Sequence, residues 1–309
     1  MTTTEGLYLR TGTESPLPEI PQARHFVILK VNGEFFEPHI AEPELPGKGP
    51  EPKALKTGGN VKLIEKYKQY KQQRLEKAIA RNLKTIRNPK AIREDRTAAI
   101  EFFKASDHVE HAVPPLLQRF DFSLEHGIND SREKESAMEG ILNFKEEAIP
   151  YIIEHIRQTY RVAWPIKALK ALANETQVVE ALSQCLDYGD ISFDQNKINK
   201  NYDLLCYLRD YKLNDELSRK LYHFLEQYDE RVRFAATETL IEQDEPGIPH
   251  RLEAFMKDSS PENTRIRKAV TDCFINKKWK VSDSQAFPEG SLIQGINLNS
   301  EGILENRQN

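Results

Sequence analysis

The chain has 309 residues, of which 39% are hydrophobic and 30% charged, with only 14 glycines and a formal net charge of −4. That length admits two compact domains or one elongated one, and so thin a core beneath so charged a surface favours the second. No run of about eighteen apolar residues occurs, which argues against a membrane-spanning helix.

The first residues, "MTTTEGLYLRTGTESPLPEI", hold neither an early cationic segment nor a continuous apolar stretch. They do not read as a secretory signal, and a cytoplasmic location is expected. Residues 1–52 form a Pro-rich arm, with prolines clustered in "SPLPEIPQ" and "EPELPGKGPEPK". Between the clusters, Asn32-Gly33 separates two apolar runs, which predicts a small β-hairpin at about 25–40 because Asn-Gly suits a type I′ turn.

Residues 53–92 are a basic helix and its connection. From Lys53 to Lys90 there are twelve lysines and arginines against Glu65 and Glu76, a local charge of +10, so the remainder carries −14. Ile64, Tyr67, Lys71, Leu75, Ile79, Leu83 and Ile86 recur at three- or four-residue steps, which predicts one helix with a seam packed onto the acidic segment that follows. Lys66, Lys71, Arg74 and Arg81 mark its cationic surface, and Asn88-Pro89 ends it.

Residues 93–280 repeat themselves. "AVPPLLQRF" at 112, "AIPYIIEHI" at 148 and "GIPHRLEAF" at 247 align, and "VVEALSQCL" and "ELSRKLYHFL" fit between them. Their anchors Val113, Ile149, Val179, Leu217 and Ile248 recur about every 34 residues, one helical hairpin per unit. A partner helix precedes each: "DRTAAIEFF", "REKESAMEGIL", "WPIKALKAL", "NYDLLCYLRDY" and "DERVRFAATETL". Two such helices cannot enclose a core alone, so successive hairpins must stack. Asp187, Asp190, Asp194 and Asp203 lie in or beside an insertion at 187–201, but their spacing fails the calcium-loop pattern. Residues 281–309 read as a C-terminal cap and tail.

Asp229, Val232, Arg233, Ala236, Leu240, Ile248, Pro249 and Leu252, with Asp130, Arg132, Ala137, Leu142, Ile149, Pro150 and Ile153, make this segment resemble the HEAT-repeat proteins, in the broad armadillo-type group that includes bilin-lyase-like repeats. The resemblance implies an all-α fold: a right-handed α-α superhelix of about five to six helical hairpins, with the β-hairpin arm added in front. It also implies that Asp130, Arg132, Asp229 and Arg233 cap helices or stack repeats.

No phosphate-cradling glycine loop, no GxSxG elbow and no HExxH or HxxEH occurs. Three Glu-His dipeptides, at 110–111, 125–126 and 154–155, and the pair His108 and His111 leave the metal reading weak. The three cysteines contain no CxxC pair and read as small core or half-buried residues of a reducing compartment. The expectation is therefore a non-enzymatic scaffold or adaptor without cofactor or metal, binding another protein on the concave face. The second helices present two rows there: Pro115, Tyr151, Ala181, Arg219 and His250, then Arg119, His155, Cys185, His223 and Ala254. Tyr151, Arg219, His250, Arg119, His155 and His223 are the candidate contacts, since tyrosine and arginine anchor interfaces. Behind this stand a bilin-lyase-like modifying enzyme, and nucleic-acid or membrane binding through helix 53–90.

Overall fold

The computed structural model describes residues 30–31, 34–35, 58–284, 287 and 292–307. The Pro-rich stretches of the arm lie outside them. Within the arm, β1 (Lys30–Val31) pairs antiparallel with β2 (Glu34–Phe35), Val31 opposite Glu34, so two residues, Asn32 and Gly33, connect them.

Twelve α-helices make up most of the other described residues. After α1 (Gly58–Ile86) come α2 (Arg93–Lys104) and α3 (Val109–Gln118), α4 (Gly127–Leu142) and α5 (Ile149–Gln158), and α6 (Ala163–Leu172) and α7 (Glu175–Gln184). Then follow α8 (Gln195–Leu208) and α9 (Asp215–Leu221), α10 (Glu230–Ile241) and α11 (Ile248–Lys257), and α12 (Thr264–Lys277). Each packs on its neighbours: α2 on α3 and α4, α4 on α6, α8 on α10, and α10 on α11 and α12. The five anchors all fall in the second member of a pair. One continuous apolar cluster runs from Ile86 to Leu304 through these contacts.

Local chemistry sets the helix starts. Asp229 Oδ1 accepts from Arg231 N at 2.9 Å and caps α10. Asn174 caps α7 in a capping box with Gln177, Asn214 caps α9, and Asp194 caps α8. Each cap is worth about 1 kcal/mol. Because Asp194 caps α8, the helix begins at Gln195 and absorbs half of the segment expected to be an insertion. Asn201, fully buried, then closes the remaining loop by accepting from Asp187 N at 2.9 Å and donating to Asp187 O at 2.8 Å. Pro150 and Pro249 sit in the first turns of α5 and α11, as expected, but α3 starts upstream and carries Pro114 and Pro115 inside.

One expectation needs correction. The seam of α1 packs only at its end, through Ile79, Leu83 and the buried Ile86. Every residue from Glu65 to Lys77 is exposed, Tyr67, Lys71 and Leu75 included, because no described element lies alongside that part of the helix. The C-terminal cap is a second β-hairpin, β3 (Ile296–Leu298) with β4 (Leu304–Asn306), Leu298 opposite Leu304. Gly302, at φ +79°, makes its turn, and Leu304 is buried against α12 with Val281.

A buried ionic network joins the first two hairpins. Glu133 of α4 accepts from Arg96 Nε and Nη2, both at 3.0 Å, and from Arg119 Nε at 2.8 Å. Arg119 Nη2 and Lys134 each reach Asp130 at 2.7 Å. Burial alone would raise the Asp130 carboxyl, yet hydrogen bonds from Lys134, Arg119 and Leu124 N outweigh it and hold the group below its ordinary value of 3.8. A carboxyl depressed in the fold adds stability that is present above its unfolded pKa and lost as pH falls through its folded one. Melting temperature should therefore fall on acidification below about pH 4, and Asp130→Asn should flatten that fall while lowering stability at pH 7. An unchanged acid slope in a thermal melt series would count against the network.

Candidate functional site

The strip expected along the second helices divides into two parts. In and just before α5 the buried positions are Ala148, Ile152 and Ile156, and in and just after α7 they are Val178, Ala181, Leu182 and Cys185. The anchors Ile149 and Val179 therefore lie at the edge of the packed face rather than its centre. That rotation buries Ala181 and Cys185, and Pro115 is buried as well. It leaves Tyr151 half-buried on the core. Arg119 is not a surface contact: it is fully buried in the ionic network. His223, Arg219 and His250 are exposed as expected.

Those three sit among fixed neighbours. Tyr222 donates its hydroxyl to Glu245, whose Oε2 also accepts from Gly247 N at 2.9 Å. Burial first, then that carboxylate, raises the Tyr222 phenol, which stays protonated. Arg219 approaches Glu245 at 3.9 Å, and the Arg251 guanidinium lies 5.4 Å from the Tyr222 ring. His223 lies 5.8 Å from the half-exposed Tyr188 ring, and His250 Nδ1 is 3.1 Å from Ser282 Oγ. Phe193 is fully exposed in the loop before α8.

The second part is an open cleft of about 620 Å³ at the C-terminal ends of α3 and α5, against the start of α8. His155 and Gln158 line it from α5, Gln118 and Asp121 from the end of α3, Asn196 and Asn199 from α8. Lys200, buried in α8, donates to Arg157 O at 2.7 Å and ties α8 to the last turn of α5. Two buried side-chain atoms facing this region have no hydrogen-bond partner, Gln118 Oε1 and His155 Nε2. Asp121 Oδ1 lies 3.1 Å from His155 Nε2, within ion-pair reach but off the direction a ring N–H bond requires, and it also accepts from Thr159 Oγ1 at 2.8 Å.

The expected stacking residues behave unequally. Arg233 donates to Gln227 O at 2.8 Å, to Tyr228 O at 2.6 Å and to Asn263 Oδ1, just before α12, at 2.9 Å. Arg96 repeats this arrangement, reaching Pro89 O, Ala91 O and Glu133 of the next hairpin. Asp130 joins α4 to the end of α3 and caps nothing, since the residue before α4, His126, makes no capping bond. Arg132 is exposed, and its neighbour Glu133 makes the contact between hairpins instead.

Among the described residues, no group of three or more His, Cys, Asp or Glu side chains is placed to hold a metal ion. The rings of His108 and His111 are edge-on at 5.7 Å with Glu110 beside them, at the surface. Burial pushes the thiols of Cys185, Cys206 and Cys273 up, the last to about 11, so they are poor nucleophiles at neutral pH. No helix among the described residues is long and apolar enough to cross a membrane. Comparison with protein-family models, curated proteins and solved structures finds no match to this chain.

Proposed function

We propose that the chain is a stack of HEAT-like helical hairpins forming a right-handed superhelix, and that it works as a non-enzymatic scaffold holding a peptide segment of another protein. The stacking reading is supported by the regular hairpin spacing and by the matching arginine contacts at Arg96 and Arg233. The binding reading rests on the cleft between α3, α5 and α8, where Gln118 Oε1 is buried without a hydrogen-bond partner and His155 Nε2 makes no hydrogen bond although Asp121 Oδ1 lies 3.1 Å away. An unsatisfied buried polar atom is costly, and a small side-chain rotation that turns it to a ligand in the cleft removes that cost. Gln158, Asn196 and Asn199 carry amides that donate and accept together. They match an extended main chain, which offers N–H and C=O in alternation. Arg219, His223 and His250 form a second, more exposed contact surface on the later hairpins.

Selection from a displayed peptide library on the purified chain, followed by calorimetric titration, tests this. Gln118→Ala with His155→Ala should weaken the selected peptides about tenfold or more. An Arg219, His223 and His250 triple alanine variant should affect only ligands long enough to reach the later hairpins. Failure to recover any binder, or binders indifferent to both variants, would remove the cleft from consideration.

A further inference from the structure

Helix α1 carries a surface that the cleft does not use. Between Gly58 and Ile86 it has eight lysines and arginines against Glu65 and Glu76, a net of +6. Among the described residues, none of these cations is ion-paired to a carboxylate; Lys71 and Arg74 contact only the rings of Tyr67 and Tyr70, at 5.3 and 5.8 Å. Elsewhere in the chain lysines and arginines are commonly paired, as Arg96, Lys134, Arg209 and Lys257 are.

The charge is ordered. At 100° per residue, Lys66, Tyr70, Arg74, Lys77 and Arg81 fall on one stripe, with Tyr67 at its border. The packed residues Ile79, Leu83 and Ile86 fall about half a turn away round the same helix. The end of α1 thus anchors to the array by one side and turns the stripe outward. The exposure of every residue from Glu65 to Lys77 leaves that stripe accessible along its length. From Lys66 to Arg81 it measures about 22 Å.

We propose that this stripe binds single-stranded nucleic acid, Lys66, Arg74, Lys77 and Arg81 neutralising phosphates while Tyr67 and Tyr70 stack on bases. Four cations on one line match the regular charge of a phosphate backbone, and exposed tyrosines among them offer π-faces that suit any base. A lipid surface fits less well. An interfacial helix needs a continuous apolar face, and the side of α1 opposite the stripe holds Lys68, Lys71 and Gln72 beside Leu75.

Fluorescence anisotropy with labelled oligothymidine of about 20 nucleotides, its duplex with oligoadenine, and anionic phosphatidylserine vesicles tests this on the full chain. Four phosphate contacts to a single strand give a slope of log affinity against log salt of about −3, or roughly fiftyfold weakening between 50 and 200 mM salt. The variant Lys66→Glu/Arg74→Glu/Lys77→Glu/Arg81→Glu should abolish binding at 50 mM salt with an unchanged thermal melt, because these side chains support no packing. Tyr67→Ala and Tyr70→Ala should each weaken binding about tenfold and leave the salt slope unchanged. Absence of oligothymidine binding overturns the proposal. So does equal or tighter binding to duplex or vesicles, or indifference to the tyrosines. None of these outcomes bears on the peptide cleft, which takes Arg87 from just after α1 but no residue of the stripe.

Discussion

Glu133→Gln should lower the stability of the first hairpins by about 3–5 kcal/mol, the cost of removing one partner from a buried ion pair. The side chain keeps its size but loses what the site requires. Glu133 Oε2 accepts from both Arg96 Nε and Arg119 Nε, and Oε1 accepts from Arg96 Nη2. A glutamine oxygen can take one of these places. The amide nitrogen must take the other, and it then points a donor at a guanidinium donor. Arg96 and Arg119 are 4% and 0% exposed, so water cannot repair the mismatch. The charge of the cluster also rises from +1 to +2 with Asp130 as its one remaining anion. Adding Arg96→Met should recover only part of the loss, because Arg96 also satisfies the carbonyls of Pro89 and Ala91 at the turn from α1 to α2. Urea unfolding followed by Trp164 emission measures both variants; a loss below about 1 kcal/mol for Glu133→Gln would mean that solvent reaches the network.

This network also marks where sequence reasoning reaches its limit. The hairpin period is written locally: apolar residues at three- and four-residue steps, a proline at Pro150 and Pro249, a capping aspartate at Asp229. Each of those signals needs only a few neighbouring residues, and the helices follow them. Helix phase is different, because which side of α5 or α7 is buried depends on how it crosses the helices before and after it. A rotation of about one residue turned Ala181 and Cys185 inward and left His155 on the wall of a cleft. Arg119 reads as a surface residue until Glu133, one helix later, is placed beside it. The cleft was illegible for the same reason: Gln118, His155 and Asn199 are brought together from three separate helices, and Asn199 lay in a polar run that reads as loop until Asp194 caps α8. The C-terminal hairpin was hidden because "INL" and "LEN" are too short to show a period.

Phe120→Ala gives the second large effect and tests the architecture itself. Phe120, 1% exposed just after α3, stacks on Trp164 in the first turn of α6, with centroids 5.7 Å apart and planes 20° from parallel. Truncation of a buried phenylalanine costs about 3–5 kcal/mol through lost transfer energy and the cavity left behind. The chain has two tryptophans, and the other, Trp279, stands edge-on to Phe274 just after α12. In a stack where each hairpin touches only its neighbours, damage near one end weakens local contacts first and is transmitted poorly to the other. In one cooperative body it lowers both ends together. Single-tryptophan backgrounds, Trp279→Phe to observe Trp164 and Trp164→Phe to observe Trp279, separate the two cases. For a stack, Phe120→Ala should move the Trp164 transition about 1–2 M lower in urea, with the Trp279 transition shifted by less than half as much. Equal shifts would show that α2 to α12 unfold as one unit, and the repeat reading would then lose its energetic basis even though its helices are regularly spaced.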